Sequence, residues 1–373
     1  MLSRLFVCLL FVPLLAFADA PPPPQVAAKS WLLLDYQTGQ LIVQQHADER
    51  AEPASLTKLM TAYLVAQALD KKQIQPDQVV PVSEHAWKSG GSRMFIEPLK
   101  PVTVKELLYG SIVQSGNDAT IALAELLGGS EEVFAQMMNR EAQRLGMKNT
   151  HFTNSTGWPD ANHYSSARDL ALLTAAMIRE HPEHYAIYAT REYRYNNITQ
   201  QNRNRLLWLD PYVDGAKTGH TESAGYCLVA SAKRGSQRLI SVVMGTSSES
   251  ARAQESQKLL NYGFQFYDSV RVYQKGQTVS TLKVWKGAEK GVKAGPAHDL
   301  YLTLPRGEAE KLKAELVSQQ PLVAPIAAGQ EVGVVRVTLE GKQVGEYSIV
   351  ALDNIPAAGF FGRIWDTIRL WFK

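Results

Sequence analysis

The chain has 373 residues, 45% hydrophobic and 20% charged, and 39 Lys and Arg against 36 Asp and Glu leave a net charge of +3. This length supports two domains with ordinary cores and requires no metal or disulfide staple. The charge is too small to imply nucleic acid as a partner.

Residues 1–20 read as a secretory signal outside the fold. Arg4 supplies the positive start, Leu5 to Phe17 a short apolar run, and Ala18-Asp19-Ala20 a small-residue cleavage site. The run is too short and wrongly flanked for a membrane-spanning helix. Cleavage removes one charge of each sign, Arg4 and Asp19, and one of the two cysteines, Cys8. The remaining Cys227 can form no internal disulfide, and the apolar stretch Tyr226 to Ala230 suits a buried strand rather than a nucleophile. Pro21 to Pro24 open a stiff linker over residues 21–29.

Residues 30–270 form the first predicted domain. Trp31 to Leu34 and Leu41 to Val43 flank a Thr38-Gly39 turn and read as a hairpin. Ser55 to Asp70 is predicted helical, with Leu56, Leu59, Met60, Tyr63 and Ala66 on one face. Helices follow at about 104–109, 119–127 and 131–145, and a capping box at Ser166 to Asp169 opens another that reaches about Glu180. Strands return after Val213, with 225–232 and 238–245 joined by a turn, and a helix over about 250–267 closes the region. Strands, a block of helices, then strands again predict an α+β fold: an antiparallel sheet with helices on its faces, not a doubly wound one.

Residues 271–354 change in character. Short Val- and Leu-rich runs alternate with Gly and Lys, which predicts a small all-β domain in which only Glu308 to Val317 reads as helix. In the last segment, 355–373, Phe361, Ile364, Trp365, Ile368, Trp371 and Phe372 recur at helical spacing, largely opposite Arg363, Asp366, Thr367, Arg369 and Lys373. Aromatic residues opposite basic ones suit a helix lying in a membrane's headgroup region, and Pro356 to Gly359 gives it a hinge. The competing reading is a helix docked on its own domain.

Three short motifs carry the chemistry. Ser55-Leu56-Thr57-Lys58 starts the long helix, where residues three apart share a face, so a seryl hydroxyl and a lysyl amine can converge. A neutral amine serves as base if burial and the positive end of the helix dipole lower its pKa. Ser115-Gly116-Asn117 sits between two helices; its Ser can pass a proton and its amide can orient a carbonyl. Lys217-Thr218-Gly219, followed by His220, sits beside the strands. Its cation would depress Lys58 further and attract an anionic group, Thr218 can bond a carboxylate, and Gly219 lets a backbone approach. Taken singly, each motif has an ordinary reading: a helix cap beside a surface lysine, a capped loop, and a solvated hairpin end. Together, in this order, they are closely similar to the trio of class A β-lactamases and penicillin-binding proteins.

On these motifs the chain resembles the D-alanyl-D-alanine carboxypeptidases among the low-molecular-mass penicillin-binding proteins. The likeness extends to Ser92 to Pro98, Gln114 to Ala119, Tyr164 to Asp169 and Asp214 to Thr221, and to the β-rich second domain and terminal helix. The resemblance implies a penicillin-binding/β-lactamase-like transpeptidase fold and an enzyme without cofactor that removes the terminal D-Ala from peptidoglycan stem peptides. Ser55 would be the nucleophile, Lys58 its base and Ser115 the proton relay. Asn117 would position the substrate, and the backbone N–H groups of Ser55 and His220 would form the oxyanion hole. Lys217 and Thr218 would hold the terminal carboxylate, with Arg252 or Arg203. β-Lactams would acylate Ser55, and the terminal helix would hold the exported enzyme on the periplasmic face of a bacterial inner membrane.

Three alternatives stand beside this one. His181-Pro182-Glu183-His184 looks like a metal-ligand pair, but Pro182 interrupts the helix such a pair needs. A β-lactamase shares the trio but needs a carboxylate base for fast deacylation and has no use for a second domain. A non-catalytic wall-binding protein would not keep the whole motif set.

Overall fold

A computed structural model describes residues 21–371, so the predicted signal segment, Phe372 and Lys373 lie outside the described residues. β1 (Ser30–Asp35) is buried along its whole length. Its unbroken apolar run, rather than an alternating one, is that of a strand covered on both faces. Leu32 and Leu34 face one core, and Trp31 and Leu33 face another on the opposite side. β2 (Leu41–Gln45) pairs with it as the predicted hairpin.

The helical block follows: α1 (Lys58–Asp70), α2 (Glu84–Trp87), α3 (Val104–Val113), α4 (Asn117–Gly128), α5 (Glu131–Arg144), α6 (Ala167–Glu180) and α7 (Pro182–Tyr185). α6 is capped by Ser166, whose hydroxyl accepts from the Asp169 N–H. Two features differ from expectation at the start of this block. The predicted helix at Ser55 begins as a 3-10 turn over Ala54–Thr57, and α1 starts only at Lys58. α1 is also buried on nearly every side instead of along one stripe, because it runs through the middle of the helical layer.

A hairpin absent from the sequence reading, β3 (Glu192–Tyr195) with β4 (Ile198–Gln201), turns at Asn196-Asn197, both at positive φ. A short helix, α8 (Leu206–Leu209), leads into β5 (Val213–Thr221), β6 (Gly225–Arg234) and β7 (Gln237–Thr246). These strands complete an antiparallel sheet in the order β2-β1-β7-β6-β5. α9 (Glu249–Phe266) covers the face opposite the helical block, packing Leu259 and Leu260 with Leu33, Leu228 and Leu239. Cys227 is buried within β6, and burial pushes its thiol up to about 11.

β8 (Tyr267–Tyr273) continues directly from α9 and pairs with β11 (Leu300–Pro305). The second sheet comprises β9 (Ser280–Trp285), β10 (Gly291–Gly295), β12 (Leu312–Ser318), β13 (Leu322–Val323), β14 (Glu331–Leu339) and β15 (Lys342–Ala351). The helix expected over Glu308 to Val317 is instead a 3-10 turn at Ala309–Lys311 followed by β12. Leu312 and Leu316, four apart, fit a helix stripe and one face of a strand equally, and pairing with β14 decides for the strand. α10 (Phe360–Trp371) ends the described chain with no buried residue; Phe361, Trp365 and Trp371 are 85%, 62% and 84% exposed. Its aromatic face is not packed on the chain's own domain, which α10 meets through Asp366, the acceptor of the Lys286 N–H at 2.7 Å.

Candidate active site

The 3-10 turn at Ala54–Thr57 sets the first pair of reactive groups. With three residues per turn, positions i and i+3 eclipse. Lys58 Nζ accordingly lies 2.9 Å from Ser55 Oγ and donates to the Thr156 carbonyl at 2.7 Å. The turn is clamped from behind. Gly157, at φ +84°, passes so close that a Cβ there would fall 1.7 Å from the Ala54 carbonyl oxygen. Thr57 Oγ1 meets His163 Nε2 at 2.8 Å, and the Thr153 N–H donates to His163 Nδ1 at 3.1 Å. The proton of the imidazole therefore sits on Nε2 and is donated to Thr57. Burial pushes His163 down to about 4, which keeps the ring neutral.

Lys58 is 1% exposed. Burial, then the Arg203 guanidinium, push its amine down to about 7, against the opposing pull of Glu131 and Asp118. The sequence reading assigned this depression to burial, the helix dipole and Lys217. Burial does lead, Arg203 is the cation that follows it, and the two lysines disfavour each other's charged forms.

Ser115 sits between α3 and α4 at φ +62°, a strained backbone that turns its side chain toward β5. Lys217, inside β5 and 2% exposed, donates to Ser115 Oγ at 2.9 Å and to the Thr218 carbonyl at 3.2 Å. Its ammonium is pushed well below its ordinary range by burial first, then by Lys58, Arg203 and Arg252. The motif is thus part of the edge strand rather than a solvated hairpin end. Gly219 is needed because a Cβ would come within 2.9 Å of the Pro53 carbonyl oxygen, so β5 and the Ser55 turn touch there.

Asn117 is the first residue of α4, capped by Gly116, and its amide donates to the Gly90 carbonyl at 2.7 Å. The neighbouring Asp118, fully buried, accepts from the N–H groups of Met94, Phe95 and Ile96 at 2.9, 2.8 and 3.2 Å. It thereby pins the Ser92 to Pro98 segment across the site. On the far rim, His220 stacks on Tyr226 at 3.9 Å, and the Arg252 guanidinium lies 5.6 Å from the same ring. Arg252 donates to the Gly219 carbonyl at 3.3 Å and to Glu249 at 3.4 Å.

These groups open onto one cavity of about 410 Å³, lined among others by Ser55, Ser115, Arg203, Thr218, His220 and Arg252. Lys58 and Lys217 stand behind the two serines, and Asn117 borders an adjoining cavity with Trp158. The sequence reading missed Thr156, Gly157, His163 and Asp118. Thr156 acts through a main-chain carbonyl, which every residue has, so no side-chain pattern could mark it. His181 and His184, the pair examined for metal binding, both engage the Asp70 carboxylate, at 2.5 and 3.1 Å.

A neutral amine in contact with a serine hydroxyl can take its proton, and a second lysine–serine pair across the cavity can pass one on. The cationic rim suits an anionic substrate end. The family model for D-alanyl-D-alanine carboxypeptidase matches residues 17–248. The chain belongs to that family. A second model, the C-terminal domain of penicillin-binding protein 5, matches residues 267–357. D-alanyl-D-alanine carboxypeptidase DacC of Escherichia coli (strain K12) is 43% identical over 357 residues, spanning 94% of this chain and 89% of its own. The crystal structure of penicillin-binding protein 5 from Haemophilus influenzae superposes with a TM-score of 0.87 at 41% identity, over 90% of this chain and 99% of that one. Penicillin-binding protein D2 of Listeria monocytogenes, solved in an ampicillin-bound form, superposes with a TM-score of 0.60 at 29% identity over 65% of this chain and 99% of that one. The protein is accordingly a serine-type carboxypeptidase with the penicillin-binding fold, and its chemistry belongs to the bacterial cell wall.

Proposed function

We propose that Ser55 attacks the penultimate D-Ala carbonyl of a peptidoglycan stem while Lys58 takes the hydroxyl proton. The observation that carries this reading is the 2.9 Å contact between Ser55 Oγ and a buried amine held near 7. The backbone N–H groups of Ser55 and His220 receive the developing oxyanion. Ser115, bonded to Lys217, gives its hydroxyl proton to the departing D-Ala nitrogen as the C–N bond breaks and regains one from the Lys58 ammonium, which closes the relay. Asn117 orients the acyl amide. Lys217, Thr218, Arg203 and Arg252 hold the terminal carboxylate. Water then hydrolyses the Ser55 ester. A β-lactam carbonyl enters by the same route.

The division into a signal (1–20), linker (21–29), peptidase domain (30–270), β-rich domain (271–354) and anchor (355–373) belongs to this proposal. So does placement on the periplasmic face of the inner membrane, supported by the exposed aromatic face of α10. The test is covalent labelling with a fluorescent penicillin together with D-Ala release from a stem pentapeptide. Both are expected for the parent and neither for Ser55→Ala. Equal labelling of the two proteins would refute the assignment.

A further inference from the structure

Glu131 opens α5, where a carboxylate is ordinarily explained by the helix dipole. Its bonds lead away from its own helix. Glu131 Oε1 accepts from the Ser155 N–H at 2.9 Å and from Ser155 Oγ at 2.5 Å, and Oε2 meets His85 Nε2 at 3.0 Å. The Ser155 carbonyl accepts from Thr61 Oγ1 at 2.7 Å, so every polar group of this fully buried residue is held. The next residue is Thr156, whose carbonyl receives the 2.7 Å bond from Lys58 Nζ. On the other side of Ser155, one Asn154 oxygen accepts from the N–H groups of Thr156, Gly157 and Trp158 at 3.2, 2.8 and 3.0 Å. The loop is therefore anchored to the helical block through Glu131 and Thr61, and the Lys58 acceptor sits one residue beyond that anchor.

We infer that Glu131 is a positioning residue for the reaction: it locks the Ser155-Thr156 turn whose carbonyl aims the Lys58 amine at Ser55. The inference rests on the reading of Lys58 as the base. Charge adds a second effect. Burial and Arg203 lower Lys58, and Glu131 is the first anion to oppose them, ahead of Asp118 from α4. Lys58 from α1, His85 from α2 and His163 from the loop lie within electrostatic reach of Glu131, and Glu125 of α4 and Glu132 of α5 also act on His85. The bond to Glu131 raises His85, whereas burial pushes His163 down to about 4 and leaves it neutral. Both Glu131 oxygens are engaged by Ser155 and His85, so the carboxylate acts through Lys58 and not on the substrate.

The test follows the pH dependence of acylation by a fluorescent penicillin, and the hydrolysis of the resulting ester, in the full-length enzyme and two variants. Glu131→Ala removes the acceptor of both Ser155 donors and is expected to lower the acylation plateau at least about tenfold. Glu131→Gln keeps an oxygen for Ser155 but no charge, and is expected to restore the plateau to within about threefold of the parent. It should also move the midpoint about half a pH unit toward acid, because an amine without that anion gives up its proton more readily. A role confined to folding would leave the midpoint where it is. An unmoved midpoint in Glu131→Gln would overturn the inference, as would a Glu131→Ala plateau equal to the parent's. So would slower ester hydrolysis with unaltered acylation, which would make Glu131 a base for water. A flat profile in the parent would sink the Lys58 assignment and this inference with it.

Discussion

The base assignment is most directly tested through the pH dependence of acylation. An unperturbed lysine near 10.5 would be neutral in only about one molecule in three thousand at pH 7, whereas one held near 7 is neutral in about half. That difference corresponds to about 5 kcal/mol against the ammonium form, a preference set first by burial and then by Arg203. The second-order rate of penicillin acylation, followed by fluorescent labelling from pH 5.5 to 9.5, is expected to rise through a midpoint near 7 and then level off. At pH 6 it should be about one tenth of the plateau. Arg203→Ala should shift the midpoint alkaline, by about half a pH unit given that Arg203 is exposed, and should also lower the plateau. A flat profile, or one still rising at pH 9.5, would refute a neutral Lys58. A lowered plateau with an unmoved midpoint would refute the role given to Arg203.

The same group makes a stability prediction. Below pH 7 Lys58 is protonated in both states, and the native state bears the full penalty of a buried ammonium. Between 7 and 10.5 the unfolded chain binds more protons, so this contribution to stability rises with pH. Lys58→Met should therefore be more stable than the parent at pH 7, by about 2 kcal/mol after loss of the bonds to Ser55 and Thr156, with the advantage shrinking toward pH 10 in urea titrations. Asp118→Ala leaves three backbone N–H groups of the 94–96 segment without their acceptor and should cost about 3 kcal/mol in the same titrations. Phe361→Glu with Trp365→Glu should reduce binding to anionic lipid vesicles at least about tenfold in sedimentation assays without changing D-Ala release. Binding equal to the parent's would refute α10 as the membrane contact.

Ser55, Lys58, Ser115 and Lys217 could be singled out from the sequence because each acts through a side chain at a short, ordered spacing. The same holds for the sheet and most helices, whose periodicity is local. Glu308 to Val317 was misread because a four-residue repeat of leucine satisfies both a helix and a strand, and only β14, distant in sequence, separates the two. The β3–β4 hairpin could have been found from Asn196-Asn197 directly after the alternating Tyr193 and Tyr195, a turn signal in the sequence.

The sequence alone thus determined which groups were available and in what order along the chain. Tertiary structure decided their state. The depressed Lys58 depends on burial in a helix covered on all sides and on Arg203, which is 145 positions away in the chain. The Thr156 carbonyl, the backbone of Gly157 and the neutral ring of His163 hold the Ser55 turn through contacts that no local pattern encodes. The physical reason is general: hydroxyl and amine groups are written in the sequence, but a pKa and an aligned lone pair are properties of the surroundings that folding assembles.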